Sequence, residues 1–184
     1  MKILVSGFEP FGGDHENPSM ELLTWLESRA LPFELKTVLL PVSFQKGFVT
    51  LQKAINDFHP DIVIATGFAK NRTELTVEKI GINWMDARIP DNDGFQPLQT
   101  PIDPQGPDGL FARLPLSQMV AASMSVGVPA KISTTAGEYV CNHVLYSLLN
   151  NNPGLECGFI HLQSSDVFAG VEAMLKVASL PIRK

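Results

Sequence analysis

The chain has 184 residues, 45% hydrophobic and 18% charged, enough apolar material for one well-buried domain over residues 1–184 and too short for two of ordinary size. A formal net charge of −5 without clustered basic residues removes the electrostatic reason to bind nucleic acid or an anionic membrane, and no apolar run has the length of a membrane span. Two cysteines, Cys141 and Cys157, in a chain that lacks the pattern of a secretion signal, point to free thiols in a reducing cytoplasm.

The apolar run Lys2 to Val5 predicts a first strand, which turns at Gly7 into the stretch SGFEPFGG, and Pro18-Ser19 then precede an amphipathic helix over Met20 to Leu31. Phe33 to Leu39 reads as a second strand. Ser43 is placed to cap a helix to about Phe58, with Phe44, Phe48, Leu51 and Ile55 at helical spacing, and His59-Pro60 stops it. Asp61 to Thr66 is a buried strand ending at Gly67. Thr73 to Ile89 alternates and is rich in β-branched residues, which predicts one or two strands or a hairpin. Residues 90–107, PDNDGFQPLQTPIDPQGP, are broken by proline and glycine into a long irregular loop, a kind of segment that is often functional. A helix over Leu116 to Val126, a short strand Ala130 to Ser133, a helix after TTAGEYVCNH, a strand Cys157 to His161 and a closing helix near Val167 to Leu180 complete the chain. Strands alternating with helices predict an α/β fold, a three-layer α/β/α sandwich around a mostly parallel central sheet, with ligands at the carboxyl ends of the strands.

Chemistry is then sought where strands end. Cys141 opens a helix just beyond the strand Ala130 to Ser133, and His161 is the last residue of its own strand. Unpaired N–H groups and the positive dipole end at a helix N-terminus favour a thiolate and can hold an oxyanion, so Cys141 has the place of a nucleophile and a depressed pKa is expected for it. His143 is two residues away, which on a helix turns it about 200° from Cys141 and makes it a poor base. The same geometry argues against a zinc site on Cys141 and His143, and the remaining cysteine and histidines lack paired ligand spacing, so a zinc site is not expected. His161 is expected to reach Cys141 because adjacent parallel strands deliver their carboxyl ends to one edge, giving a Cys–His pair suited to acyl transfer. The group that orients the imidazole in such pairs is left open among Glu74, Glu78, Asp86, Asp91 and Asp166. Glycines at positions 7, 12 and 13 match no phosphate-loop pattern, and Phe8 and Phe11 read either as core or as the wall of an apolar pocket.

Taken in order, GFEPFGG with Asn17-Pro18-Ser19, VEKIGIN, ARIPDNDG, TTAGEYVCNH and GFIH resemble the pyrrolidone carboxyl peptidases (pyroglutamyl peptidase I), and the resemblance covers nearly the whole chain. It implies a cytoplasmic thiol protease, usually a homotetramer, that hydrolyses N-terminal pyroglutamate from peptides without cofactor or metal. It implies Cys141 as nucleophile, His161 as general base, Glu78 as the acidic third member, and Arg88 together with the Cys141 N–H at the oxyanion. Phe8 and Phe11 match the aromatic pair around the pyroglutamyl ring, with Val140 and Asn17 beside it, while Cys157 and His143 fall to structural roles. Two stretches depart from the family. Phe68-Ala-Lys-Asn-Arg72 stands where the family has a glutamine followed by GGR, and LQSSDVFAG enters the last helix where the family has a longer, proline-bearing loop. These departures leave two alternatives, a related amidase of shifted specificity and a non-catalytic binding protein of the same fold.

Overall fold

The structure is a computed structural model that describes residues 1–180. Its backbone is a six-stranded sheet in the order β2-β1-β3-β8-β4-β7, built from β1 (Lys2–Phe8), β2 (Glu34–Leu40), β3 (Ile62–Phe68), β4 (Leu75–Glu78), β7 (Ala130–Ser133) and β8 (Glu156–Leu162). β2, β1, β3 and β8 run parallel, β4 runs antiparallel to β8, and β7 is parallel to β4. Two further strands, β5 (Ile80–Ile82) and β6 (Gly109–Phe111), form a separate antiparallel ribbon.

Alternation along the strands sorts the core into two layers. Ile3, Val5, Ile62, Ile64, Val77 and Ile160 face α1 (Pro18–Glu27), α3 (Leu116–Ser125) and α5 (Phe168–Ala178). Leu4, Phe8, Val63, Ala65, Cys157 and Phe159 face α2 (Gly47–Phe58) and α4 (Val140–Asn151). The expected three-layer α/β/α sandwich with a mostly parallel sheet is therefore the observed one; residues 181–184 lie outside the described chain.

The boundaries move for identifiable reasons. β1 continues through Gly7 to Phe8 because its pairing with β2 persists to Phe8 opposite Leu40. Gly7 fits there because α1 crosses it so closely that a Cβ would lie 2.1 Å from the Ser19 carbonyl oxygen. α1 starts at Pro18, where Asn17 caps it by accepting from the Ser19 N–H at 2.9 Å. Ser43 caps a turn and not the helix: its Oγ accepts from Lys46 N at 3.1 Å, its carbonyl from Gly47 N at 2.9 Å, and α2 begins only at Gly47. The stretch Thr73 to Ile89 does hold two strands, but they form no hairpin with each other, since β4 joins the main sheet and β5 pairs with β6.

One expectation about the route is overturned. β7 and β8 are not adjacent parallel strands; β4 lies between them and runs antiparallel to β8, so β7 points the opposite way from β8. The carboxyl ends of β7 and β8 therefore lie at different edges, and residues 134–139 must carry the chain back before α4 begins.

Candidate active site

The catalytic candidates meet around Gly67, near the end of β3. Gly67 is in register with His161 on β8, and a Cβ placed on Gly67 would sit 3.0 Å from Cys141 Sγ and 2.9 Å from the Phe159 ring. No side chain larger than hydrogen fits between these groups without displacing one of them. Cys141 arrives from the other direction as the second residue of α4, with Tyr139 as N-cap, and its own backbone N–H faces its sulfur. Asn142 fixes that first helical turn: its Oδ1 accepts from Ile82 N at 3.0 Å, and its Nδ2 donates to Ile82 O at 2.9 Å and Trp84 O at 3.1 Å.

His161 and Glu78 form a buried pair. Thr76 on β4 is opposite His161 on β8, so Glu78, two residues on and on the same face, reaches back diagonally to the ring. His161 Nδ1 lies 2.8 Å from Glu78 Oε1, with the two side chains 4% and 0% exposed. An ionised carboxylate can only accept, so Nδ1 carries the proton and Nε2 is left as the basic nitrogen. Of the five carboxylates left open on spacing, Glu78 is the one on the histidine. Its Oε1 also accepts from Thr76 Oγ1 at 3.1 Å and pairs with Arg72 Nη1 at 2.9 Å.

Burial dominates the titration of both reacting groups. It pushes the Cys141 thiol up to about 12, with the Glu78 charge adding to the rise and Arg72 and the cysteine's own N–H opposing it. It holds His161 below the ordinary histidine value, against the hydrogen bond and charge of Glu78, which raise it; Arg72 adds to the depression. The depressed thiol pKa expected from the helix N-terminus is thus corrected: desolvation of the sulfur outweighs the first-turn N–H groups. Both shifts favour the neutral forms, thiol over thiolate and imidazole over imidazolium.

Next to the sulfur is an apolar slot lined by Phe8, Phe11, Phe68, Val42, Tyr139 and Val140, with Asn17 and Cys141 completing it. The sequence-predicted Phe8, Phe11, Val140 and Asn17 all border this slot; Val42 and Tyr139 had no signal beyond being apolar or aromatic near a motif. The Asn17 Oδ1 is engaged in the helix cap, accepting from Ser19 N and Ser19 Oγ, while its Nδ2 donates to Glu9 O at 3.0 Å. The slot's cavity is about 20 Å³, room for about one water, so its half-buried walls Phe11 and Phe68 must part before a ring can enter. Larger hollows, of about 340 Å³ beside His143 and about 560 Å³ over α1, do not border Cys141. The site is identified by its chemistry and not by the size of the hollow.

The family model of the pyroglutamyl peptidases matches residues 1–181. The chain belongs to the pyroglutamyl peptidase family. A pyrrolidone-carboxylate peptidase of Streptococcus pyogenes serotype M5 (strain Manfredo) is 45% identical over 166 residues, covering 88% of this chain and 77% of that relative. Among solved structures, pyroglutamyl peptidase I of Bacillus amyloliquefaciens superposes with a TM-score of 0.91 at 33% identity, covering 96% of each chain. A mutant pyrrolidone carboxyl peptidase of Pyrococcus furiosus gives 0.92 at 32% identity, covering 97% of this chain and 98% of its own.

This pyroglutamyl peptidase fold brings Cys141, His161 and Glu78 to one edge. Arg88 is exposed, does not line the slot, and makes no hydrogen bond or ion pair among the described residues. The guanidinium that does touch the cluster is that of Arg72, whose only mark in the sequence is its place in the stretch departing from the family pattern. The short segment between β8 and α5 contributes no wall to the slot. No group of three or more His, Cys, Asp or Glu among the described residues could hold a metal ion, and no helix there is long and apolar enough to cross a membrane.

Proposed function

We propose that Cys141, His161 and Glu78 carry out the family's reaction in this chain, removal of an N-terminal pyroglutamyl residue from a peptide through an acyl-enzyme. The lactam ring enters the slot between Phe8 and Phe11, where a neutral ring is favoured over a charged one. Cys141 passes its proton to His161 Nε2 as its sulfur attacks the carbonyl carbon that follows the ring. The resulting oxyanion is received by the Cys141 N–H, one of the unpaired donors of the first turn of α4, with Arg88 as the second donor by family membership. The C–N bond breaks as His161 returns the proton to the departing amine, leaving a thioester on Cys141. A water deprotonated by His161 then attacks the thioester, free pyroglutamate leaves, and the proton goes back to sulfur. Glu78 keeps Nδ1 protonated throughout and stabilises the transient imidazolium.

The observation that carries this reading is the convergence on Gly67, with Cys141 Sγ against it and the Glu78-bound His161 in register with it. Peptides with N-terminal pyroglutamate as substrates, a cytoplasmic location, a single domain and a homotetramer belong to the same reading and rest on family membership. Phe68 in the slot favours a second one, an amidase of shifted specificity, because a phenyl ring offers no hydrogen bond to a lactam. A fluorogenic pyroglutamyl amide tests both. Turnover by the wild type and a loss of about 10³-fold or more in Cys141→Ala are expected. Undiminished turnover by Cys141→Ala contradicts the first reading, and hydrolysis of other acyl amides with none of the pyroglutamyl amide replaces it with the second.

A further inference from the structure

We propose that Arg72 is a positioning residue for this reaction: its guanidinium clamps Glu78 to the turn leading into Cys141, so that acid, base and nucleophile are held as one unit. The inference rests on the roles given above to Cys141, His161 and Glu78. Arg72 leaves β3 through a turn in which its N–H donates to Ala69 O at 3.0 Å. From there Nη1 reaches Glu78 Oε1 at 2.9 Å and also donates to Thr76 Oγ1, while Nη2 donates to Thr135 O at 2.8 Å. Thr76 in turn donates to the same Glu78 oxygen, so Oε1 collects His161, Arg72 and Thr76, and Oε2 has no partner among the described residues.

The far end of the clamp sits on the segment that brings the chain back from β7. Ser133 Oγ donates to Thr135 O at 3.0 Å, and Gly137 N donates to Thr135 Oγ1 at 3.1 Å, so this is a stitched turn and not a loose loop. Cys141 follows it by six residues. One planar fork therefore ties the acid on β4 to the approach of α4. An ammonium is a single point and cannot span both partners in the same way. With Arg72 20% exposed and Glu78 fully buried, the pair is far from a screened surface bridge.

The charge acts on both reacting groups in a definite sense. Glu78 raises the pKa of His161 and of Cys141; Arg72 lowers both, and Tyr139, on which the Cys141 charge acts, is the further ionisable group coupled to these four at this edge. Without the cation, His161 would take a proton at higher pH and the thiol would give its proton up less readily. A merely structural ion pair would affect stability and leave these properties alone.

The test is the pH dependence of kcat and kcat/KM on a fluorogenic pyroglutamyl amide for wild type, Arg72→Met and Arg72→Lys, with thermal unfolding of each. In Arg72→Met the acidic limb is expected to move to higher pH by about half to one unit, with kcat falling roughly 10- to 100-fold and KM changing less. Arg72→Lys is expected to keep the limb near the wild-type position while kcat stays about 10-fold low, because charge is restored without the fork. An unmoved or downward-moving limb in Arg72→Met overturns the proposal, as does an unchanged kcat in Arg72→Lys, the readout that remains if Arg72→Met fails to fold. Failure of the wild type to cleave the amide counts against the reaction itself, a separate result.

Discussion

The edge around Gly67 and the region where α4 packs away from it each contain a cysteine and a histidine, in different company. At the edge, His161 is bound to Glu78, which is bound to Arg72, and Cys141 feels the charge of both. On the other side, His143 stands edge-on to Phe44 with 5.7 Å between ring centroids, and its buried Nδ1 has no hydrogen-bond partner among the described residues. Cys157, packed in the apolar layer, has Arg113 as its polar neighbour among the described residues, whose Nη2 lies 3.2 Å from the sulfur while it also caps the end of α4 through Asn152 O at 2.7 Å and Leu149 O at 3.3 Å. Burial alone pushes His143 down to about 4 and, with Arg113 opposing it, lifts Cys157 to about 11. Both regions therefore disfavour charge. What distinguishes the edge is a buried anion and cation of opposite effect, which give a proton somewhere to go when the sulfur attacks.

The comparison breaks most sharply at the anion. Glu78→Gln preserves shape but removes the charge and can stabilise the wrong imidazole tautomer; kcat is expected to fall about 10³-fold. Because Glu78 raises the His161 pKa, the acidic limb of the residual activity should move to lower pH, opposite to the shift in Arg72→Met. A limb that moves the same way in both variants would show that the two charges do not act through the histidine.

Gly67→Ala tests the meeting point without touching a charge. Its methyl would have to displace Cys141 Sγ or the Phe159 ring, and a displacement of about 1 Å at a reacting atom is expected to lower kcat/KM about 100-fold. Activity within a few-fold of wild type would mean that the sulfur reacts from another position.

The smallest effect on catalysis belongs to the other region. His143→Leu should leave kcat/KM within about threefold, yet change the acid sensitivity of the fold. His143 titrates at about 4 in the folded chain against 6.5 in its ordinary state, so between those values the unfolded chain binds a proton that the folded chain does not. The neutral buried ring therefore contributes stability that is fully present above pH 6.5 and is lost as pH falls toward 4, by about 3 kcal/mol. Chemical denaturation across this range should show a shallower decline for His143→Leu, with the remaining slope including His161, which burial also lowers. An equal slope in both proteins would rule out His143 as a source of acid sensitivity.

Hydrophobic patterning made the strands and helices legible in the sequence, because each face of a covered sheet leaves its own apolar trace. Local spacing also ruled out His143 as a partner of Cys141. The path that unites Cys141 with His161 was not legible: β4 inserts antiparallel between β8 and β7, and nothing in the local pattern of LTVE records which strand it will pair with. Glu78 could be chosen only through the resemblance, since the diagonal that joins it to His161 depends on that insertion. Arg72 escaped for a similar reason. Its three partners come from β4 and from the turn before α4, and a lone arginine in a polar loop looks like any solvated one. Nor could the direction of the thiol's pKa be read, because the helix N-terminus is visible in sequence and the desolvation around the sulfur is not.

In the proposed reaction Cys141 carries the acyl group. Acid quenching during turnover of an activated pyroglutamyl ester, followed by peptide mapping with mass spectrometry, tests it most directly. The account predicts a pyroglutamyl adduct on the peptide containing Cys141, accumulating in the wild type and absent from Cys141→Ala. An adduct on Cys157, or steady turnover by Cys141→Ala, would contradict it.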